Sequence, residues 1–120
     1  MTSAWLGWGA LCCATSVVAG AFGAHGLENR LDSDALTLWE TAARYLMYAG
    51  LGLMLMGVRS VSATGLPWSR ILLLAGAVVF SGTLFALALG APRWLGAVTP
   101  LGGLGMILGF LLFAWSALRG

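Results

Sequence analysis

Four apolar runs of about twenty residues each, joined by short polar links, leave this chain few ways to fold. They lie at about residues 4–24, 33–58, 69–89 and 95–118. A bilayer's hydrocarbon core, about 30 Å thick, takes about 20 predominantly apolar residues per spanning helix. With 120 residues in total, four spans leave no room for a soluble domain. Short links make consecutive helices antiparallel neighbours. The expected architecture is therefore all-α: one polytopic membrane domain over 1–120, built as an antiparallel bundle of four transmembrane helices. Composition agrees, since 60% of the residues are hydrophobic and only 8% charged.

The links carry the expected punctuation. Asp32 or Ser33 is placed to cap the second helix, and the stretch from there to Val58 contains no proline. The segments VSATGLPW and GAPRW carry Pro67 and Pro92. All six tryptophans fall near expected helix ends, with Trp5, Trp8, Trp68 and Trp115 on the side of the termini and Trp39 and Trp94 on the other. This is the belt expected where amphipathic rings sit at headgroup depth. Small residues recur at close-packing intervals: Gly82, Ala86 and Gly90; Ala43, Gly50 and Gly57; Gly105 and Gly109.

Charge narrows the functional classes. The six basic residues are all arginine and are scattered singly, so no nucleic-acid stripe or polybasic lipid-binding run is present. The four acids, Glu28, Asp32, Asp34 and Glu40, gather in one polar connection. Arg59, Arg70 and Arg119 lie on the side of the termini, against Arg30, Arg93 and, if it lies outside the core, Arg44 on the other. The positive-inside rule then slightly favours cytoplasmic termini. Cys12 and Cys13 are adjacent in an apolar run, without CxxC spacing or a histidine partner, and read as small packing residues. Ala19, Gly20 and Ala21 imitate a signal-cleavage site, but no positive n-region precedes them and further spans follow, so a retained helix is expected.

The candidate working residues are few. His25, the only histidine, lies in GAFGAHGL. One reading makes it a helix end, with Gly26 in the left-handed conformation behind it. The other makes it a proton-sensitive gate or headgroup ligand. Glu40 and Arg44 stand four apart in the favourable order for a helical ion pair, and Arg44 is either an anchor or a ligand for an anionic group. Thr99 either caps the fourth helix, with Pro100 at its first position, or belongs to a helix interrupted for a binding cavity. Arg93 closes the third helix on the same side. No catalytic constellation, nucleotide fingerprint or metal-ligand spacing is present, so neither enzymatic activity nor a cofactor is expected.

Three blocks together, GAFGAHGL at 20–27, FSGTLFALAL at 80–89 and TPLGG at 99–103, resemble the domain-of-unknown-function 423 family of small bacterial membrane proteins, related to animal transmembrane protein 256. The resemblance covers roughly residues 18–110 and implies a multi-pass protein of the bacterial inner membrane. It brings no activity. The family pattern places a glutamine directly after a tyrosine in the second helix and a histidine three residues further on. Here Leu46 follows Tyr45, and Ala49 stands at the histidine position. A site needing two histidines is therefore not made by this chain, and His25, Arg44, Tyr45 and Tyr48 remain. The expected function is nonenzymatic: binding of a lipid, quinone or other amphiphile through His25, Arg44, Tyr48, Arg93 and Thr99, or service as an accessory subunit of a larger membrane complex. A small oligomeric transporter or channel is the alternative. The expected partners are membrane lipids and another membrane protein or further copies of the chain, not nucleic acid. A further expectation is that the His25 corner meets the start of the fourth helix and forms a groove rim with it.

Overall fold

The computed structural model describes residues 4–58 and 66–119. They form α1 (Ala4–Phe22), a π-helical turn (Gly23–Leu27), α2 (Ser33–Val58), α3 (Leu66–Ala88) and α4 (Leu95–Arg119). Arg59 and most of the link after it lie outside the described residues. Four helices in antiparallel order stand where the apolar runs placed them. Three of them, Ala4–Leu27, Trp68–Ala88 and Leu95–Arg119, are long and apolar enough to cross a membrane unaided. The fourth, α2, carries Asp34, Glu40 and Arg44 and runs 26 residues, about 39 Å at 1.5 Å per residue. It lies packed between α1 and α3.

Helix ends follow local chemistry. Asp32 caps α2, its Oδ1 accepting the Ala35 N–H at 2.8 Å. At the end of α3 the Ala91 N–H donates to the Ala86 carbonyl and the Gly90 N–H to the Leu87 carbonyl. That double closure requires a left-handed residue, and Gly90 supplies it at φ 100°. The left-handed glycine expected at Gly26 is thus found at Gly90, the one positive φ among the described residues. Gly26 instead continues the helical winding, because α1 widens into the π-turn rather than stopping.

Trp39 accounts for that widening. Its indole N–H donates to the Ala19 carbonyl at 2.7 Å, the acceptor that the Gly23 N–H would use in an unbroken α-helix. A donor inserted into the ladder distorts it. Gly23 also leaves room for the ring, since a Cβ there would stand 2.6 Å from Trp39 Cδ1. Trp39 is therefore no belt residue: it is 8% exposed, with its ring edge-on to Phe85 at 4.6 Å. Trp8, Trp68, Trp94 and Trp115 are exposed, as a belt requires.

Two hydroxyls fix α2 from both sides. Ser16 of α1 donates to the Ala43 carbonyl and Ser81 of α3 to the Ala42 carbonyl. Close backbone approach seals the outer seams. A Cβ on Gly9 would lie 2.6 Å from the Gly50 carbonyl oxygen, and one on Gly76 would lie 2.6 Å from that of Gly102. Gly82 and Gly90, expected in a seam, have nothing within reach of an added Cβ. α1 packs on α2, α2 on α3 and α3 on α4, while α1 and α4 share no packed interface. The core lies along the central pair, with Leu46, Ala49, Leu53 and Met56 against Leu73 and Ala77, and Met106 of α4 behind them. The outer faces stay apolar, with Val17, Val18, Leu101, Leu104 and Leu111 among the exposed side chains. Apolar surface this extensive is suited to lipid.

Candidate amphiphile-binding groove

Because the bundle is open, its sequential packing leaves depressions between helices two apart in order. One lies between α2 and α4 and is floored by α3. Thr41, Tyr45 and Tyr48 recur at helical spacing on one face of α2, Phe80 forms the floor, and Gly103, Met106, Ile107 and Phe110 close the far side, around about 340 Å³. Gly103 keeps that wall low, since even an added Cβ would stop 3.4 Å from the Phe80 ring. Tyr45 packs against Phe80 and edge-on against Tyr48, with both ring centroids 5.2 Å away. Both tyrosines are partly exposed. Neither hydroxyl is used in a hydrogen bond among the described residues.

On the opposite face, depressions of about 400 and 570 Å³ run between α1 and α3. Trp8, Leu11, Phe22, Phe85 and Leu89 are among their lining residues. The hydroxyl of Thr15 there bonds back to the Leu11 carbonyl at 2.8 Å. These walls offer dispersion contacts and no directed polar group.

Arg44 and Glu40 are both exposed and make no ion pair. The expected pairing is therefore absent, in keeping with the small gain an exposed pair offers against the entropy of holding two long side chains together. Arg44 is one helical turn before Tyr48, at the same level of α2 as the groove. His25 is exposed in the π-turn and Arg93 is exposed in the turn before α4.

Thr99 differs most from its expected place. α4 begins at Leu95, where the Leu95, Gly96 and Ala97 N–H groups donate to the Pro92, Arg93 and Trp94 carbonyls. Thr99 is therefore no cap, and Pro100 sits inside the helix. There the ring removes the bond to the Gly96 carbonyl one turn back. The Thr99 hydroxyl is buried and lies 2.6 Å from that of Thr83, which also reaches back to the Val79 carbonyl. It ties α4 to α3. The expected meeting of the His25 corner with the start of α4 does not occur, because α1 leans on α2 while α4 leans on α3. Sequence reasoning singled out Tyr45 and Tyr48 but missed Phe80 and Gly103 as the rest of the groove. The signal available was TPLGG itself, whose glycines thin α4 opposite the tyrosines.

Four antiparallel helices with apolar outer faces define a small polytopic α-helical membrane protein. The chain belongs to the family described as "Protein of unknown function (DUF423)", whose model matches residues 19–103. It is 48% identical over 112 residues to a UPF0382 membrane protein of Staphylococcus haemolyticus, covering 92% of each chain. It is 39% identical to the UPF0382 membrane protein YwdK of Bacillus subtilis, covering 92% of this chain and 93% of that one. No solved structure matches the chain.

Proposed function

We propose that the protein is a nonenzymatic multi-pass protein of the bacterial inner membrane, with its termini in the cytoplasm, that holds a single amphiphile in the groove between α2 and α4. The observation that carries this reading is the pair of unspent phenol hydroxyls on Tyr45 and Tyr48 beside a lipid-accessible groove that is apolar apart from Thr41. A few placed polar groups in an apolar cleft are what orients a ligand. The aromatic and aliphatic walls suit the ring or chain of a quinone or lipid. The hydroxyls suit its carbonyl or ester oxygens, and Arg44, one turn away, suits an anionic head. As an accessory subunit of a larger membrane complex, the protein would present the same loaded groove to its partner. The interior hydroxyls of Ser16, Ser81, Thr83 and Thr99 are committed to neighbouring helices, which argues against a polar path through the bundle.

The test is to purify the full chain in mild detergent and identify retained lipids and quinones by mass spectrometry. One amphiphile should be enriched in wild type. Gly103→Leu, which fills the groove, and the double change Tyr45→Phe with Tyr48→Phe should lower its retention about tenfold, the effect of losing one to two hydrogen bonds. Equal retention in all three folded proteins would overturn the reading.

A further inference from the structure

Every acidic side chain of the protein lies between residues 28 and 40, around the link from α1 to α2. The opposite end of the bundle, where α1 and α3 begin and α4 stops, has only cations among its described charged residues, Arg70 and Arg119. Arg119 is exposed, its Cζ 5.6 Å from the centroid of the Trp115 ring. Arg70 is not. It is 9% exposed, its Cζ lies 5.4 Å from the centroid of the Trp5 ring, and its Nε has no hydrogen-bond partner among the described residues. A buried guanidinium is ordinarily matched by an acceptor, because removing its charge from water is tolerated only when its donors are satisfied. The face of Trp5 attracts the charge, yet leaves the Nε–H donor unanswered.

We propose that Arg70, backed by Trp5, binds the phosphate of an anionic phospholipid in the leaflet at this end of the bundle. The donor set fits, since a guanidinium presents a planar fork to phosphate oxygens. The depth fits as well: Trp68 and Trp115, both exposed, mark headgroup level on the same side. The sequence supplies no acidic side chain at this end to compete with it. This site is at the other end of the molecule from the acidic link and does not share a residue with the Tyr45 and Tyr48 groove, so either can fail without the other.

The experiment is native mass spectrometry of the full chain in mild detergent, titrated separately with phosphatidylglycerol, with phosphatidylcholine of the same acyl chains, and with inorganic phosphate. Phosphatidylglycerol should bind about tenfold more tightly than phosphatidylcholine. Arg70→Lys keeps the charge but lacks Nε, and it should lose that preference, while Arg119→Gln should keep it. An undiminished preference in Arg70→Lys overturns the proposal. Arg70-dependent binding of inorganic phosphate without any lipid preference overturns the assignment to a lipid. Should Arg70→Lys not fold, wild type in phosphatidylglycerol bilayers still decides the matter. Nitrogen–phosphorus dipolar dephasing at the assigned Arg70 Nε is the expected result, and its absence rejects the site.

Discussion

The two helical hairpins solve the same packing problem with different chemistry. In the first, α1 and α2 add directed bonds to a close Gly9–Gly50 backbone contact: Ser16 to the Ala43 carbonyl and the Trp39 indole to the Ala19 carbonyl, with a π-turn where the indole enters. In the second, α3 and α4 are held by backbone proximity, with Gly76, Gly102 and Gly109 each leaving no room for a Cβ, and by one hydroxyl pair, Thr83 and Thr99. The difference follows from composition. Ser16 of α1 and Trp39 of α2 each reach a backbone carbonyl of the other helix, whereas the glycines of α3 and α4 let that pair gain most from close dispersion contact. The first hairpin should therefore be sensitive to lost donors as well as to added volume, and the second chiefly to added volume.

The largest expected effect is in the second hairpin. Gly102→Leu would drive a Cβ against the Phe80 backbone and to 2.8 Å from the Gly76 carbonyl oxygen. Neither neighbour can rotate away. Overpacking of this kind costs about 1–3 kcal/mol or more, which thermal unfolding in detergent would read as a large drop in midpoint. Gly82→Leu, in the same hairpin but in open space, should leave the midpoint unchanged. Equal effects at the two glycines would break the comparison.

In the first hairpin, Trp39→Phe keeps an aromatic ring near Phe85 but removes the donor to the Ala19 carbonyl. The expected cost is about 0.5–1.5 kcal/mol for the lost interhelical bond, because the Gly23 N–H should return to the Ala19 carbonyl and residues 23–27 should recover α-helical carbon chemical shifts. Ser16→Ala should cost less, about 0.6 kcal/mol, the average measured for interhelical side-chain bonds in a membrane protein. Persistence of the π-helical shifts in Trp39→Phe would show that something other than the indole widens α1.

The residues whose role is written in local pattern were legible in the sequence. The Asp32 cap, the apolar helices and the short links before α2 and α4 each act over a few residues, and the structure has them where the chain places them. What was not legible depends on partners distant in sequence. Trp39 sits where a belt residue would sit, and only the gap at Gly23 and the Ala19 carbonyl, about twenty residues earlier, make it a core pin. TPLGG carries the signature of a helix start, but the helix begins a turn earlier because the carbonyls at 92–94 already cap it. Gly90 had a readable signal, a glycine two residues before Pro92, that points to a helix C-terminus. The groove was half legible: spacing puts Thr41, Tyr45 and Tyr48 on one face, but only the separation of α2 from α4 turns that face into a cleft.

The central claim is that two hairpins meet mainly along α2 and α3, leaving α1 and α4 apart and the clefts open. Disulfide trapping in native membranes, in a chain with Cys12 and Cys13 replaced by alanine, tests it directly. Paired cysteines at Thr83 and Thr99, whose hydroxyls lie 2.6 Å apart, should oxidise readily, as should a pair at Ser16 and Ala43, while a pair at His25 and Thr99 should remain reduced. Efficient trapping of His25 with Thr99, at a rate matching the Thr83 and Thr99 pair, would mean a closed bundle in which α1 meets α4, and would contradict the account.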